Sequence, residues 1–259
     1  MNIQFIIRFM LIIFCLSMMI ASAKADINKG INFYQKRQEG SKGTMASLEN
    51  INKAIDQFSS ALLVPESEKN AALYLLKSYY YKAEFSIQNK DAKKRVFNEG
   101  KALGEKYIEK YPDSVEFRYW YLVNLGSWAQ VYGILAAARE GVSDLMREHS
   151  EKIIELDPFY RNGGGYFMLG AVHYKSPYIP FLLSWPDNDE AIKFLQLAIE
   201  TGKAEMNQKN YLAQAINKAG QQKKAIKMLT EVINTDPEPE NLVEDLDDIE
   251  EARQLLENL

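Results

Sequence analysis

Asn162-Gly-Gly-Gly-Tyr-Phe-Met-Leu-Gly-Ala-Val-His-Tyr-Lys-Ser-Pro177, continued by Ser184-Trp-Pro-Asp-Asn-Asp-Glu-Ala-Ile192, decides the fold. The first part reads as a helix opened by three glycines and stopped at Pro177, because proline cannot donate the next backbone hydrogen bond. A short apolar excursion over residues 178–185 follows, and Pro186-Asp-Asn-Asp189 supplies the cap of a second helix. That helix carries Ala191, Leu195 and Ala198 at intervals of four and three, one narrow face fit to pack closely on a neighbour. Two helices joined in this way, and repeated, make a solenoid.

The rest of the chain repeats the theme. Periodicity predicts helices over residues 26–39, 47–64, 68–88, 92–110, 114–138, 142–156, 206–217, 221–235 and 242–259. The segment 40–44 is read as the stop of the first and the cap of the next. When the second helix of each pair is aligned at its exit, small and apolar residues fall in phase. They are Ala54, Phe58 and Ala61; Gly100, Gly104 and Tyr107; Met146, Ser150 and Ile153; Ala191, Leu195 and Ala198; and Ala225, Leu229 and Val232. Four of these helices end at Pro65, Pro112, Pro158 and Pro237, and Gly202 stands in place of the fifth proline. In the first helices, Tyr166, Leu169, Gly170 and His173 occupy the aromatic, Leu, Gly and aromatic positions of a tetratricopeptide repeat. No stretch alternates apolar and polar residues long enough to be a strand. The expected architecture is all-α: a tetratricopeptide-like solenoid of helical hairpins. Its middle repeats exceed the usual period of about 34 residues, which favours a compact, strongly curved body, and the acidic helix over 242–259 caps its end.

At 259 residues the chain can bury a full core, and 47% hydrophobic with 25% charged residues is ordinary globular composition. Residues 1–25 are read as a cleavable signal peptide: Arg8, an apolar run, then Ala21-Ser-Ala23 and Ala23-Lys-Ala25. Residues 26–259 then form one helical domain in the periplasm, soluble after cleavage. The only cysteine, Cys15, lies in the leader, so the mature chain has no thiol and no disulfide. A net charge of −4 without a basic stripe gives no reason to expect nucleic acid.

Catalytic and metal signals are poor. There are two histidines, His149 and His173, and no HExxH or acidic calcium loop. No catalytic residue, metal ligand or cofactor is assigned. His173 is expected as a packed, hydrogen-bonded ring and His149 on an exposed helix face. Phe117, Trp120, Asn124, Trp128, Val131 and Leu135 form one stripe of the aromatic helix, and Gly126, Ala129, Gly133 and Ala136 form a second, small one for close approach of another helix. Such stripes are core by default. The density of rings, with Asn124 among them, points also to a cavity bordered by Trp120, Asn124, Trp128, Tyr166 and Trp185. A carboxylate head would sit there near Asn124, or near Arg161 at the glycine-opened helix start.

The run from Asp157-Pro158 through Gly163-Gly-Gly-Tyr166, Leu169-Gly170, Lys175-Ser-Pro177 and Ser184-Trp-Pro-Asp187 to Ala191, Leu195 and Ala198 resembles the T-component family of TRAP transporters. Tyr119-Trp-Tyr121 and Asn124-Leu-Gly126 are similar to that family as well. The resemblance implies a non-enzymatic periplasmic protein that binds a TRAP-type solute-binding subunit, assists solute uptake and holds a lipophilic carboxylate ligand in an internal pore. A homo-oligomer stays open. The alternative is a periplasmic protein–protein interaction scaffold without a small ligand.

Overall fold

The computed structural model describes residues 27–181 and 183–259. The signal-peptide reading of residues 1–25, with Cys15, lies outside the described residues. The described chain is helical, with two isolated β-bridges, Lys42 to Met45 and Ile179 to Leu183. In order it forms α1 (Ile27–Gln35), α2 (Leu48–Ala61), α3 (Pro65–Phe85), α4 (Lys90–Lys110), α5 (Val115–Tyr132) and α6 (Ile134–Arg139). Then come α7 (Val142–Leu156), α8 (Gly164–Lys175), α9 (Asn188–Thr201), α10 (Met206–Lys218), α11 (Gln222–Ile233), a 3-10 turn (Pro239–Asn241) and α12 (Leu242–Glu257).

Consecutive helices pack as hairpins: α1 on α2, α3 on α4, α5 on α7 with α6 interposed, α8 on α9, and α10 on α11. The in-phase positions are where helix axes come together, and each is buried, from Ala54, Phe58 and Ala61 in α2 to Ala225, Leu229 and Val232 in α11. Gly170 shows why these sites are small. A Cβ there would stand 2.7 Å from Leu195 Cγ and 2.9 Å from the Leu195 backbone nitrogen, so α8 can lie this close to α9 only without a side chain. Caps fix the starts. Asp187 accepts from the amides of Asp189 and Glu190 ahead of α9, Ser114 accepts from Phe117 ahead of α5, and Glu205 closes a capping box with Gln208 ahead of α10. Ser47 caps α2, a place the sequence reading had given to the turn at 40–44.

Two local expectations change. The aromatic helix does not run on to Ala138: Gly133, at φ 92° and ψ 167°, breaks it into α5 and α6. Beyond that break Leu135 leaves the apolar stripe and is 77% exposed. The small stripe does not receive a close neighbour throughout. A Cβ on Gly126 would find only Met146 Cε, at 3.8 Å.

α12 caps the last repeat by packing on α10 and α11, and it also reaches the start of the chain. Val243 is buried with Ala46, Ile51, Tyr81 and Phe85. Arg37 donates to Glu244 at 2.7 and 3.0 Å, to the Glu240 carbonyl at 2.9 Å and to Asn241 Oδ1 at 3.2 Å. The last helix is thereby pinned to the loop after α1, and the curved body is held closed.

Candidate functional site

A cavity of about 1230 Å³ opens on the inner face. Its lining comes from nearly every repeat, including the segment Tyr34 to Gln38, the inner faces of α3, α5, α7 and α8, and Glu244 to Glu251 of α12. Apolar side chains such as Leu122, Val142, Met146, Phe167 and Met168 make one part of it. The rest is polar and strongly charged.

The charge is divided. One part of the wall carries Lys77 and Arg161 around Trp120, whose side chain is buried, with 7% exposed. The Lys77 ammonium stands 5.6 Å and the Arg161 guanidinium 5.5 Å from the Trp120 ring. Lys77 also lies 4.8 Å from Tyr74, and Arg161 5.8 Å from Tyr119. Burial, and then the like charge of Arg161, lower the Lys77 pKa. Arg161 is open to the cavity's solvent although protein surrounds it on the sides. Elsewhere the lining carries the carboxylates of Glu84, Asp245, Asp247, Asp248 and Glu251. Burial, followed by the charges of Glu251 and Asp247, pushes Asp248 up to about 8. Asp247 is raised to about 6, chiefly by burial and then by Glu84.

Of the residues expected around a pore, the structure brings Trp120 and Arg161 together on the cavity wall. Asn124 is fully buried one turn away, donating to the carbonyls of Leu76 at 3.1 Å and Trp120 at 2.8 Å. It bolts α5 to α3, and its Oδ1 presses where a Cβ on Gly100 would stand. Trp128 lies off the cavity, its N–H on Asn98 Oδ1 at 2.7 Å and its ring stacked 4.3 Å from Tyr132. Trp185 donates to Asp144 at 2.8 Å and packs between Arg147 and His173. Tyr166 is half-buried against the core and does not line the cavity.

The glycine-opened start of α8 is a packing device. Arg161, Asn162 and Gly163 are all left-handed, at φ 48°, 53° and 78°. A Cβ on Gly164 would meet Tyr119 at 2.6 Å, and one on Gly165 would meet Ile153 at 2.8 Å. Neighbouring helices thus fill the space where a bound anion had been expected, and Arg161 turns toward Trp120. Asn162 ties the turn to the α9–α10 loop, donating to Glu205 at 2.9 Å and accepting from Gln208 at 3.0 Å.

His173 is the packed ring expected, accepting from the Asp187 amide at 3.2 Å. His149 is half-buried instead of exposed, 2.7 Å from an Arg118 nitrogen and edge-on to Tyr121. Burial lowers the pKa of both histidines. Among the described residues no group of three or more His, Asp or Glu is placed to hold a metal, and no helix is long and apolar enough to cross a membrane.

Sequence reasoning missed Tyr34, Arg37, Lys77 and the α12 carboxylates as cavity residues. No local motif marks them; they meet only because α12 returns to the first repeat.

Residues 35–181 match the model of the family described as Regulator of microtubule dynamics protein 1-3. No curated protein matches the chain. Among solved structures, a thermophilic TPR protein of Thermus thermophilus superposes with a TM-score of 0.56 at 15% identity, covering 81% of this chain and 92% of that one. That likeness shows the tetratricopeptide-type fold. The family match overturns the resemblance to the TRAP T-component family, and with it the role in solute uptake. The residues that carried the resemblance, Gly163 to Gly165, Gly170, Ala191, Leu195 and Ala198, answer to helix packing common to tetratricopeptide hairpins. They do not single out one family.

Proposed function

Because the chain belongs to the Regulator of microtubule dynamics protein 1-3 family, we propose that it is a non-enzymatic regulatory scaffold that takes a segment of a protein partner on its inner face. The observation that carries this reading is the cavity of about 1230 Å³, to which nearly every repeat contributes. Curved helical repeats present such extended inner surfaces, and recognition there uses many side chains on a rigid frame. A regulator acts by binding, and binding needs the mixed apolar and charged lining seen here and no reacting group. The two histidines are used in packing, and their lowered pKa leaves them neutral at physiological pH.

The test is site-specific photocrosslinking in the native cell. A benzophenone side chain placed at Gln130, which is exposed and faces the cavity, should capture one or a few defined proteins. The same group at Lys223, exposed on α11 away from the cavity, should not capture them. Equal adducts at the two positions, or none at Gln130, would remove the inner face as the binding surface.

A further inference from the structure

Cations drawn into a protein are normally paired with carboxylates, because an unpaired charge loses hydration without compensation. Most of this molecule follows that rule. Arg37 is on Glu244, Lys93 on Glu84, and Lys101 on Glu105 and Glu140. Arg118 and Lys175 depart from it, resting on the Pro112 carbonyl and on Gln214. Half-buried Lys77 and its neighbour Arg161, which stays open to the cavity, depart from it together: among the described residues neither of these two has a carboxylate within 4.0 Å, and both approach one indole. Cation–π contact with a tryptophan supplies part of what is lost, but it cannot relieve the repulsion between the two charges. The carboxylates that act on them are engaged elsewhere: Glu116 accepts from Ser114 at 2.7 Å, and Glu205 accepts from Asn162 at 2.9 Å. The indole N–H of Trp120 is itself buried without a well-formed hydrogen bond, with the Tyr160 hydroxyl the acceptor set beside it.

We propose that Lys77, Arg161 and Trp120 form an anion subsite on the cavity wall that receives a carboxylate side chain from a partner's peptide segment. The proposal rests on the scaffold reading and names the chemistry of the segment. Charge narrows that chemistry further. The cavity also holds the acidic side chains of Glu84, Asp245, Asp247 and Glu251, with Asp248 held protonated among them, so a polyacidic run would be repelled. One glutamate or aspartate at the subsite, flanked by neutral or basic residues that face α12, matches both parts of the wall. A peptide fits better than a lipid headgroup with its acyl chains. Gln35, Ser127, Gln130 and Asn207 offer hydrogen bonds to a peptide backbone, and chains would have to lie among the carboxylates.

The tryptophan count gives a clean test. There are three tryptophans, and the N–H groups of Trp128 and Trp185 are already held by Asn98 and Asp144. In a nitrogen–proton NMR spectrum of the labelled protein, the Trp120 indole peak is assigned with Trp120→Phe. The probe is a blocked peptide with one glutamate among glycine, serine and lysine, and its control has glutamine at that position. The Trp120 peak should shift and saturate with the glutamate peptide while the other two indole peaks stay in place. The glutamine control, Lys77→Gln and Arg161→Gln should each weaken binding by about tenfold, as expected of a charge-assisted contact. Melting curves for both variants check that they are folded, and Lys77→Gln replaces a half-buried side chain away from the strained turn. An unmoved Trp120 peak, equal shifts with the two peptides, or undiminished binding by both folded variants overturns the proposal. So does a shift produced by phosphatidylserine-containing vesicles and by no peptide, which would make the subsite one for lipid headgroups. If Gln130 still crosslinks a protein in any of these cases, the scaffold reading stands and only the subsite falls.

Discussion

Gly126 and Gly170 both lie inside helices, and an added methyl group would meet opposite surroundings at the two. At Gly170 it would press on the backbone of Leu195 and on the Ala191 carbonyl, at 2.9 and 3.1 Å, which cannot move without shifting α9. Gly170→Ala should therefore cost about 1–3 kcal/mol despite the better helix propensity of alanine. At Gly126 the one near atom is Met146 Cε, at 3.8 Å. Gly126→Ala should stabilise the protein by about 0.5–1 kcal/mol, the usual gain from removing a glycine in a helix. Urea denaturation of the two variants measures both signs, and two destabilised variants would mean the inner face of α5 is more crowded than described. These residues also mark what a sequence can disclose. The register Ala191, Leu195, Ala198 is legible because a close helix crossing demands small side chains at fixed local spacing. Gly126 has the same spacing and no crossing, so periodicity shows a small face without showing whether anything covers it.

Among the elements, α12 is the one whose role exceeds its sequence signature. Its composition reads as a solvated acidic cap, yet Asp248 is largely enclosed and faces Glu251, Asp247, Asp245 and Glu205. An aspartate has an ordinary pKa of 3.8, which the fold raises to about 8. The folded protein thus holds a proton that the unfolded chain releases, and the stability this gives is complete below the ordinary value. It is lost as pH rises toward and through about 8. Above pH 7 the two histidines no longer contribute, since burial keeps them neutral when folded and unfolding leaves them near their ordinary value of about 6.5. Thermal melts should therefore show the protein losing stability from about pH 7 to pH 9, with α12 the first segment to gain amide exchange. Asp248→Asn should be more stable than the parent at the alkaline end and show a flatter profile. A parent and variant with parallel profiles would place the titration elsewhere.

For the molecule as a whole, the decisive contacts join residues that no short-range pattern relates. Arg37 and Glu244 are 207 positions apart, and Val243 completes an apolar cluster founded on Ala46, Ile51, Tyr81 and Phe85. Hydrophobic period defines which face of a helix turns inward, but leaves open which distant helices will share that interior. This is why the hairpins were readable from sequence and the cavity was not, apart from Trp120 and Arg161. A linear repeat array transmits stability from neighbour to neighbour, and its ends can fray independently. Here α12 couples the last hairpin to the first. A chain ending at Thr235 would lose the ion pair with Arg37, the apolar partner of Ile51 and Tyr81, and the α12 share of the acidic cavity wall. We expect it to keep helical hairpins but to unfold less cooperatively, with a lower denaturant slope than the full chain. Amides of α1 and α2 should exchange ahead of those in α5 and α8, although α1 and α2 lie far in sequence from the deletion. Scattering in solution should show a more open body. If α1 and α2 are as protected in the shortened chain as in the full one, closure by α12 does not stabilise the first repeat. The molecule would then be a linear array with its cap resting on its neighbour.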